Sequence, residues 1–401
     1  MKRFLILFIP LLLISNGLIS QVWTQRSKLT GGVRHSASAF VLNDKGYVCT
    51  GDNGNLLNEL WEYDPLFDQW QQRADLTGVA RRSAVGFSIG QYGYVGCGWN
   101  GSSSYYSFYK YDPSNNSWSA ISAYPGEAGR NCFAESANGK GYVGGGLIAA
   151  GFSFADDFWE YDPSTDQWDQ LSDIPFGDRS GGIMFSINDI IYFGQGHNGI
   201  GDFNDLWAYD PANDSWEQKA NMPGVGRIQS TAFVADDVAI VGGGWRLGVG
   251  TELNDYYEYD PAIDTWSTVP GFVNGRRGVS VGFGIGLAGY IATGWDSLNS
   301  PIDDLWEYNL YTSVEENEEF NIEVDVYPLP SDGMVNFQYS IKEAKADLLI
   351  YNPLGELIRS DVLTSSSGKY QLDLSGQNAG IYIYEIRTNN GSRTGLLPLV
   401  K

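Results

Sequence analysis

Six arginines stand just before a short run of small and apolar residues, and an arginine can hold a carboxylate through two parallel hydrogen bonds. They are Arg34, Arg82, Arg130, Arg179, Arg227 and Arg277. If they meet on one surface, they form a cationic ring that could grip a carboxylate or an acidic segment of a partner. Alternatively, each arginine pairs with backbone carbonyls or an acidic neighbour, and its presence at all six places favours this structural role.

A second set of six positions follows a glycine each time and varies in residue type. These positions hold Asp52, Trp99, Leu147, His197, Trp245 and Trp295. Three indole rings beside arginines could stack on a sugar or on an aromatic side chain, or they could pack between neighbouring units of the fold. We predict a ligand site that combines the six arginines with Asp52, Trp99, His197, Trp245 and Trp295.

Residues suited to catalysis are few. The two histidines, His35 and His197, cannot form a His-rich metal site, and the sequence has no Ser-centred nucleophile elbow, phosphate loop or EF-hand loop. Acidic pairs such as Asp303-Asp304 would suit Ca²⁺, but their recurrence before the same predicted strand favours structural hydrogen bonds. The sequence thus predicts no catalytic residue, metal or cofactor, and it favours a binding module over an enzyme while leaving catalysis open.

Charge and cysteine content narrow the class of protein further. The formal net charge is −23, and an acidic surface repels nucleic-acid phosphates and anionic membranes, so we exclude nucleic-acid binding. Cys49, Cys97 and Cys132 lack the spacing of a metal site. A bridge between Cys49 and Cys97 is conceivable because they fall near equivalent places, but buried free thiols are the favoured interpretation.

The elements that would position these residues recur along the chain. Tyr-Asp-Pro occurs five times with a tryptophan after each copy, and a sixth copy is altered to Tyr308-Asn309-Leu310. The tryptophans after the five copies are Trp70, Trp118, Trp168, Trp216 and Trp266. Their spacing of 48 or 50 residues indicates a repeat architecture.

Each repeat predicts four short strands, which lie at 36–42, 46–51, 60–63 and 69–71 in the first repeat. The Asp-Pro step turns the chain between the third and fourth strands. The last repeat lacks its fourth strand, and residues 22–25, which contain Trp23, resemble the missing segment. Pairing this segment with the last repeat would close a ring and remove an exposed sheet edge.

The repeat resembles the kelch repeat in its glycine-ended second strand, in segments such as Asn204-Asp205-Leu206-Trp207, and in the Tyr-Asp-Pro turn followed by tryptophan. The resemblance covers residues 21–311 and implies an all-β, six-bladed kelch β-propeller. In such a propeller, the loops between second and third strands share one face with the loops that lead into each blade, and this face is where we expect a ligand.

The same resemblance implies two kinds of enzyme as alternatives. Copper-radical oxidases of the galactose oxidase type need several His and Tyr ligands and a Tyr-linked Cys, and no motif here indicates them. Some bacterial kelch propellers isomerise sialic acid with arginine and an acid group. A carbohydrate-active enzyme on the same face, a sugar-acid isomerase or an oxidase-like protein, therefore stays open as the alternative to a protein-binding or carbohydrate-binding module.

The two ends of the chain predict export. Residues 1–20 combine a short basic start with an apolar run and indicate a signal peptide cleaved near Ser20, which would leave no membrane span. An acidic linker is predicted at 312–323. Residues 324–401 alternate strand-like runs, including 334–341, 346–351 and 380–388, with turn signals, as in a small β-sandwich.

This last segment resembles the C-terminal sorting domain of type IX secretion. The residues that carry the resemblance include Tyr327, Pro328, Pro330 and Gly333. The chain departs from the family pattern at Leu329, where asparagine is usual, and at Arg393, where lysine is usual. An ordinary accessory sandwich is the alternative. The resemblance implies recognition of residues 324–401 by the type IX machinery and a location outside the cell or on the outer-membrane surface of a Gram-negative, Bacteroidota-type bacterium.

Overall fold

The computed structural model describes residues 22–148, 153–247, 251–272, 275–310, 322–343, 345–353, 355–388 and 391–400. Every regular element within these ranges is a β-strand, which confirms the all-β prediction, and none of the described residues forms a helix suited to crossing a membrane. Residue contacts separate a unit of Gln21–Leu310 from a second unit that includes Tyr311–Lys401. The predicted signal peptide and nearly all of the predicted linker lie outside the described residues.

The first unit is a β-propeller, built within its described residues from six antiparallel sheets. Four strands that follow in chain order form the main part of each sheet, except in the last, whose outermost strand comes from the start of the chain. The innermost strands are Ser38–Leu42, Arg82–Ile89, Phe133–Ala137, Ile183–Ile187, Thr231–Ala235 and Val281–Ile285. The second strands are Lys45–Cys49, Tyr92–Trp99, Lys140–Ile148, Ile190–Gly194, Val238–Gly242 and Ala288–Ala292. The third strands are Leu60–Asp64, Phe108–Asp112, Phe154–Asp162, Leu206–Asp210, Tyr256–Asp260 and Leu305–Asn309. The outermost strands are Gln69–Arg73, Ser117–Ile121, Gln167–Gln170, Ser215–Lys219, Thr265–Val269 and Val22–Arg26.

Two short additions lie beside these sheets. Ala128–Arg130 pairs with the second strand of the third sheet, and Trp245–Arg246 pairs with Thr251–Glu252 in a small ladder of its own.

The ends of the propeller meet in the last sheet. Val22–Arg26 pairs antiparallel with Leu305–Asn309, so that Trp23 lies opposite Tyr308. The buried Trp23 ring also contacts Phe233, Tyr256 and Phe272 at centroid distances of 5.1–6.3 Å. The closure predicted from the sequence is confirmed, and the pairing removes the edge that an open array of sheets would expose.

In four of the sheets, the Tyr-Asp-Pro turn and the following tryptophan hold the loop that comes from the preceding sheet. The Tyr63 hydroxyl and the Ser27 amide both donate to Oδ1 of Asp68, at 2.9 and 2.8 Å, and the Trp70 indole donates to the Ser27 carbonyl at 2.8 Å. Both backbone polar groups of a residue in the preceding loop are thus satisfied. The same arrangement holds Ala74 through Asn116 and Trp118, Ser122 through Asp166 and Trp168, and Ala220 through Asp264 and Trp266.

Aromatic packing between sheets depends on glycine. A Cβ atom at Gly93 would lie 2.3 Å from the ring of Phe40 in the preceding sheet, so only glycine leaves room for the ring. The same Phe–Gly pairs are Phe283 with Gly46, Phe87 with Gly141 and Phe233 with Gly289. The backbone register places Glu135 where the other innermost strands carry phenylalanine, and Ile191 where four second strands carry glycine.

The C-terminal unit is a small β-sandwich of two antiparallel sheets around an apolar core that includes Phe337, Leu348 and Ile386. One sheet contains Ile322–Tyr327, Met334–Ile341 and Ser367–Asp373, and the other contains Leu357–Leu363, Ala346–Tyr351, Gly380–Thr388 and Gly391–Leu399.

The segment from Tyr327 to Gly333 connects the first two strands of that sandwich. Tyr327 ends the first strand, and cis peptide bonds precede both Pro328 and Pro330. The backbone of Ser331 exchanges hydrogen bonds with Pro398 and Val400. Gly333 has a φ of +127°, and a Cβ there would lie 2.6 Å from Ser375. Through Ser331, the segment that carries the predicted sorting motif is therefore bonded to the end of the chain beside the last strand.

Candidate functional site

The six variable positions occupy equivalent places at one end of the sheets. Each makes a backbone bridge with a residue that begins an innermost strand or lies three positions before one. The bridged pairs are His35 with Asp52, Arg82 with Trp99, Arg130 with Leu147, Ser180 with His197, Ile228 with Trp245, and Gly278 with Trp295. We call these twelve residues the rim. The loops that carry them are the loops into each blade and those between second and third strands, so both kinds share one face.

Four of the six predicted site arginines lie in the interior and not on the rim. Arg34, Arg179, Arg227 and Arg277 are at most 1% exposed. Each pairs with a carboxylate at 2.6–2.8 Å, in the order Glu59, Asp205, Asp255 and Asp304. Each also donates to the carbonyl of a residue 16 positions further along the chain. These four side chains hold a loop to its own sheet, which is the structural role that the presence of arginine in every repeat favoured.

In the second and third repeats, the predicted arginine is one residue away from the position that the buried arginine occupies in the other repeats. Arg81, not Arg82, is buried and donates to the Cys97 carbonyl 16 residues on, as Arg34 does to that of Thr50. Gly129 precedes Arg130 at the corresponding place in the third repeat. The prediction from the sequence was therefore wrong at Arg82 and Arg130: each lies one residue after the position that holds a buried arginine in the other repeats. No ring of six arginines forms on the rim, and only these two belong to it.

Both rim arginines contact Trp99. The guanidinium carbons of Arg82 and Arg130 each lie 4.7 Å from the centre of the indole ring, within the range of a cation–π interaction. Arg82 also forms an ion pair with Asp52 at 2.8 Å. The aromatic face of Trp99 is thus held between the second and third sheets by positively charged side chains.

Two more tryptophans lie on the other side of Asp52. The rings of Trp295 and His35 are 4.5 Å apart, and Trp295 meets Trp245 edge-on at 5.3 Å. The Trp245 indole donates to the Gln229 side chain at 2.7 Å. Burial lowers the pKa of His35, so this imidazole is neutral near pH 7. All three tryptophans are partly exposed, and they line the rim at its fifth, sixth and second sheets.

His197 belongs to a different group. Its Nδ1 lies 2.8 Å from Oδ1 of Asp202, whose other oxygen accepts a hydrogen bond from the Leu247 amide. In a neutral imidazole, a ring nitrogen that faces a carboxylate carries the proton, and Nε2 is then the acceptor. No sequence motif marks this pair, because only the conformation of the short loop between the two residues brings them together.

Directly beneath the rim, six backbone amides form a closed ring around the propeller axis. Each donates to the carbonyl of its counterpart in the preceding sheet, at 2.5–3.3 Å. The members are Ser36, Ser83, Asn131, Gly181, Gln229 and Val279, and each has a φ between +50° and +67°. We call this ring the collar. It opens on a channel of about 190 Å³ lined by the innermost strands.

The acidic pairs and the cysteines are the remaining candidates from the sequence. Asp304 accepts hydrogen bonds from Arg277 and from the Trp306 indole, as expected for a structural acid and not for a calcium ligand. Among the described residues, no three His, Cys, Asp or Glu side chains are grouped to hold a metal ion. The three cysteines are free thiols, as favoured; Cys49 and Cys97 are buried as expected, whereas Cys132 is only partly buried.

Comparisons with known proteins agree with this architecture. The family model described as Attractin/LZTR1 beta-propeller matches residues 13–256. The model described as secretion system C-terminal sorting domain matches residues 325–397. Among solved structures, the chain is similar to one titled "Structure of YjhT", with 19% sequence identity, a TM-score of 0.61, and coverage of 70% of this chain and 96% of that chain. At this identity the likeness shows the fold alone. No curated protein sequence matches the chain.

Proposed function

Since the chain belongs to the Attractin/LZTR1 β-propeller family and carries a type IX sorting domain, we propose that its propeller is an extracellular binding module whose ligand occupies the rim. The sorting domain indicates secretion or attachment to the cell surface in Bacteroidota-type bacteria. The outer-membrane surface of such a cell is the compartment that we propose.

One observation carries this proposal. Aromatic and cationic side chains are in contact with one another around the mouth of the propeller, in two groups that meet at the His35–Asp52 bridge. Trp245, Trp295 and His35 form the first group, and Arg82, Trp99 and Arg130 form the second together with Asp52. Partly exposed tryptophan and arginine are the residue types that supply most binding energy at recognition sites, and here they vary on a scaffold that repeats.

A ligand screen by thermal shift tests the proposal. We would measure unfolding of the mature chain with oligosaccharides, uronic and sialic acids, and acidic peptides. A ligand at about 100 times its dissociation constant stabilises a folded protein by roughly 2.7 kcal/mol. We expect a probe that stabilises the wild type to lose its effect in Trp99→Ala and Trp295→Ala.

The matched control is Phe67→Ala, which removes a partly exposed aromatic ring from a loop between third and fourth strands, on the opposite face. This variant should respond as the wild type does. Unchanged binding in a chain that carries Trp99→Ala, Trp245→Ala and Trp295→Ala together would rule out the rim as the site.

A second candidate function, a sugar-acid isomerase on the same rim, is favoured by the His197–Asp202 pair. The carboxylate orients the imidazole so that Nε2 can accept a proton from a bound substrate. We expect an isomerising chain to accelerate exchange between the anomers of a sugar acid, followed by NMR, and His197→Gln to abolish the acceleration. A wild-type rate equal to the uncatalysed rate would remove this candidate.

A further inference from the structure

We propose that the rim binds a segment of a partner protein and that Arg130 holds a carboxylate of that segment. This inference rests on the proposed function, because it assigns a ligand class to the same site. Two independent features carry it: a guanidinium without an anion, and a set of exposed aliphatic side chains on the loops beside it.

Within the part of the chain that the structure describes, no carboxylate forms an ion pair with Arg130. Among the arginines of the described residues that are not fully exposed, Arg130 is the one whose guanidinium meets no hydrogen-bond acceptor. The other rim arginine, Arg82, is paired with Asp52, whereas the Arg130 Nε–H is buried without a partner. The chain has 48 acidic and 25 basic residues, so carboxylates to pair with every arginine are abundant. An unpaired guanidinium at this place is therefore suited to an anion that the chain does not itself supply.

A neighbouring charge strengthens the requirement for an anion. Arg82 and Arg130 both lie 4.7 Å from the centre of the Trp99 ring, so the two cations share one aromatic side chain. Two like charges beside the same ring repel each other even though Asp52 offsets part of the Arg82 charge, and a carboxylate beside Arg130 would relieve that repulsion. The ring of Trp99 would form one wall of the pocket that receives it.

The loops on the opposite half of the rim end in aliphatic side chains. Ile200 is 94% exposed and Leu298 is 82% exposed, and Leu247 is about half exposed. They belong to the loops between second and third strands of the fourth, sixth and fifth sheets, beside Trp245 and Trp295. Ile200 and Leu298 thus bury little of their surface in the folded propeller. Apolar groups that surround aromatic anchors are typical of a protein interface, whereas a glycan offers them few apolar partners.

The face thus has a cationic half and an apolar half. A protein segment that places an aspartate or glutamate near apolar residues complements both halves. A polyuronate complements the cationic half alone, and it is therefore the competing outcome of the test.

The experiment uses the mature full-length chain as bait for a displayed library of random peptides of about a dozen residues. We expect enriched peptides to share an acidic residue near apolar ones. Affinities of one such peptide and of its Glu→Gln or Asp→Asn counterpart would then be measured by calorimetry against the wild type, Arg130→Gln and Arg246→Gln. Arg246 is an exposed arginine on the same face, so its substitution removes the same charge outside the proposed pocket.

A paired carboxylate predicts a specific pattern in these affinities. Arg130→Gln and the amide peptide should each weaken binding about tenfold or more, and the amide should have little further effect on Arg130→Gln, because both changes remove the same contact. Arg246→Gln should change affinity about twofold or less. Arg130→Lys, which keeps the charge but loses the planar fork, should fall in between.

Several outcomes would overturn the inference. The display experiment would do so if the wild-type chain enriched no peptide, if the enriched peptides lacked an acidic residue, or if the chain bound oligogalacturonate in place of peptides. The affinity measurements would do so if the losses of affinity caused by Arg130→Gln and by the amide peptide were additive. The effect of Trp99→Ala separates this failure from that of the proposed function. If Trp99→Ala abolishes binding of whichever probe is captured, the rim remains the site and only the protein partner is rejected. If binding survives Trp99→Ala, Trp245→Ala and Trp295→Ala together, both proposals fail.

Discussion

Glu135 and Ile191 hold the two positions between the third and fourth sheets that Phe40 and Gly93 hold between the first and second. Glu135 is smaller than the phenylalanine at the corresponding position, and Ile191 is larger than the glycine that faces that phenylalanine. The side-chain volume at this junction is therefore divided differently between the two sheets. The exchange leaves a carboxyl group in a place that elsewhere holds a phenyl ring.

The first prediction concerns pH. Burial raises the pKa of Glu135 from 4.5 to about 7. The folded chain therefore holds this proton more tightly than the unfolded chain, so the stabilising contribution of Glu135 is present below about pH 4.5 and declines as pH rises towards 7. A shift of this size corresponds to at most about 3 kcal/mol.

Urea unfolding across this pH range would measure the effect. Glu135→Gln, which cannot ionise, should remove this part of the pH dependence. A wild-type and a Glu135→Gln chain whose stabilities differ by the same amount at every pH would contradict the assignment.

Glu135 and Ile191 should be coupled energetically, because they take the places of a phenylalanine and the glycine that it packs against. Glu135→Phe should overpack the junction and cost about 1–3 kcal/mol, and Ile191→Gly should open a cavity and cost about 2–5 kcal/mol. The double variant restores the Phe–Gly pair of the neighbouring sheets and should be more stable than the sum of the single changes implies. A double-mutant cycle by chemical unfolding would give the coupling energy, and a value near zero would show that the two positions do not share space.

Loss of a buried arginine should destabilise the propeller far more than loss of the exposed arginine beside it. Arg277→Met leaves Asp304, which is mostly buried, without its cationic partner, and it should destabilise the propeller by about 3–5 kcal/mol. The adjacent Arg276 is exposed, and Arg276→Met should change stability by about 0.5 kcal/mol or less. Equal effects of the two substitutions would mean that the buried pair does not stabilise its loop.

The fourth prediction concerns closure of the ring. Trp23→Ala removes a buried ring that contacts residues of two neighbouring sheets, and it should cost about 3–5 kcal/mol. Hydrogen exchange at Leu305–Asn309 should become faster, because these amides lose a firmly docked partner strand. Gln25→Ala, an exposed position of the same strand, is the control and should leave exchange unchanged.

The fifth prediction concerns the thiols. Burial raises the pKa of Cys49 to about 12, so its alkylation in the folded chain should be slow even in mildly alkaline solution. Mass spectrometry after unfolding without reductant should find three alkylated cysteines, in line with the three free thiols. A single alkylated cysteine would instead reveal a disulfide.

Much of the fold could be predicted from the sequence because its signals are local. The Tyr-Asp-Pro turn needs a fixed order of residues, and the tryptophan after it must reach the preceding loop, as Trp70 reaches Ser27. The closing strand was recognisable because Trp23 repeats the setting of Trp70. The collar was not predicted, since positive φ angles at Ser36, Asn131 and Val279 carry no glycine signal.

The site was predicted only in part, for a different reason. Trp99, Trp245 and Trp295 each follow a glycine, and that glycine identifies them as equivalent positions of their repeats. The arginines lack such a marker: Arg81 and Arg82 are adjacent, and only the hydrogen bond of Arg81 to the Cys97 carbonyl shows which of them is buried. The partnership of Arg130 with Trp99 joins two sheets, and no local pattern of residues encodes it.

The collar has a consequence for how such a protein can change over evolutionary time. Its bore is fixed by main-chain amides and carbonyls, so serine, asparagine, glutamine, valine and glycine all occupy it without altering the aperture. Side chains at these positions, and those of the rim beside them, can therefore be substituted under selection while the frame that presents them keeps its dimensions. A lineage with this architecture can acquire a new specificity by a few point mutations, and it needs no insertion, deletion or rearrangement of the blades.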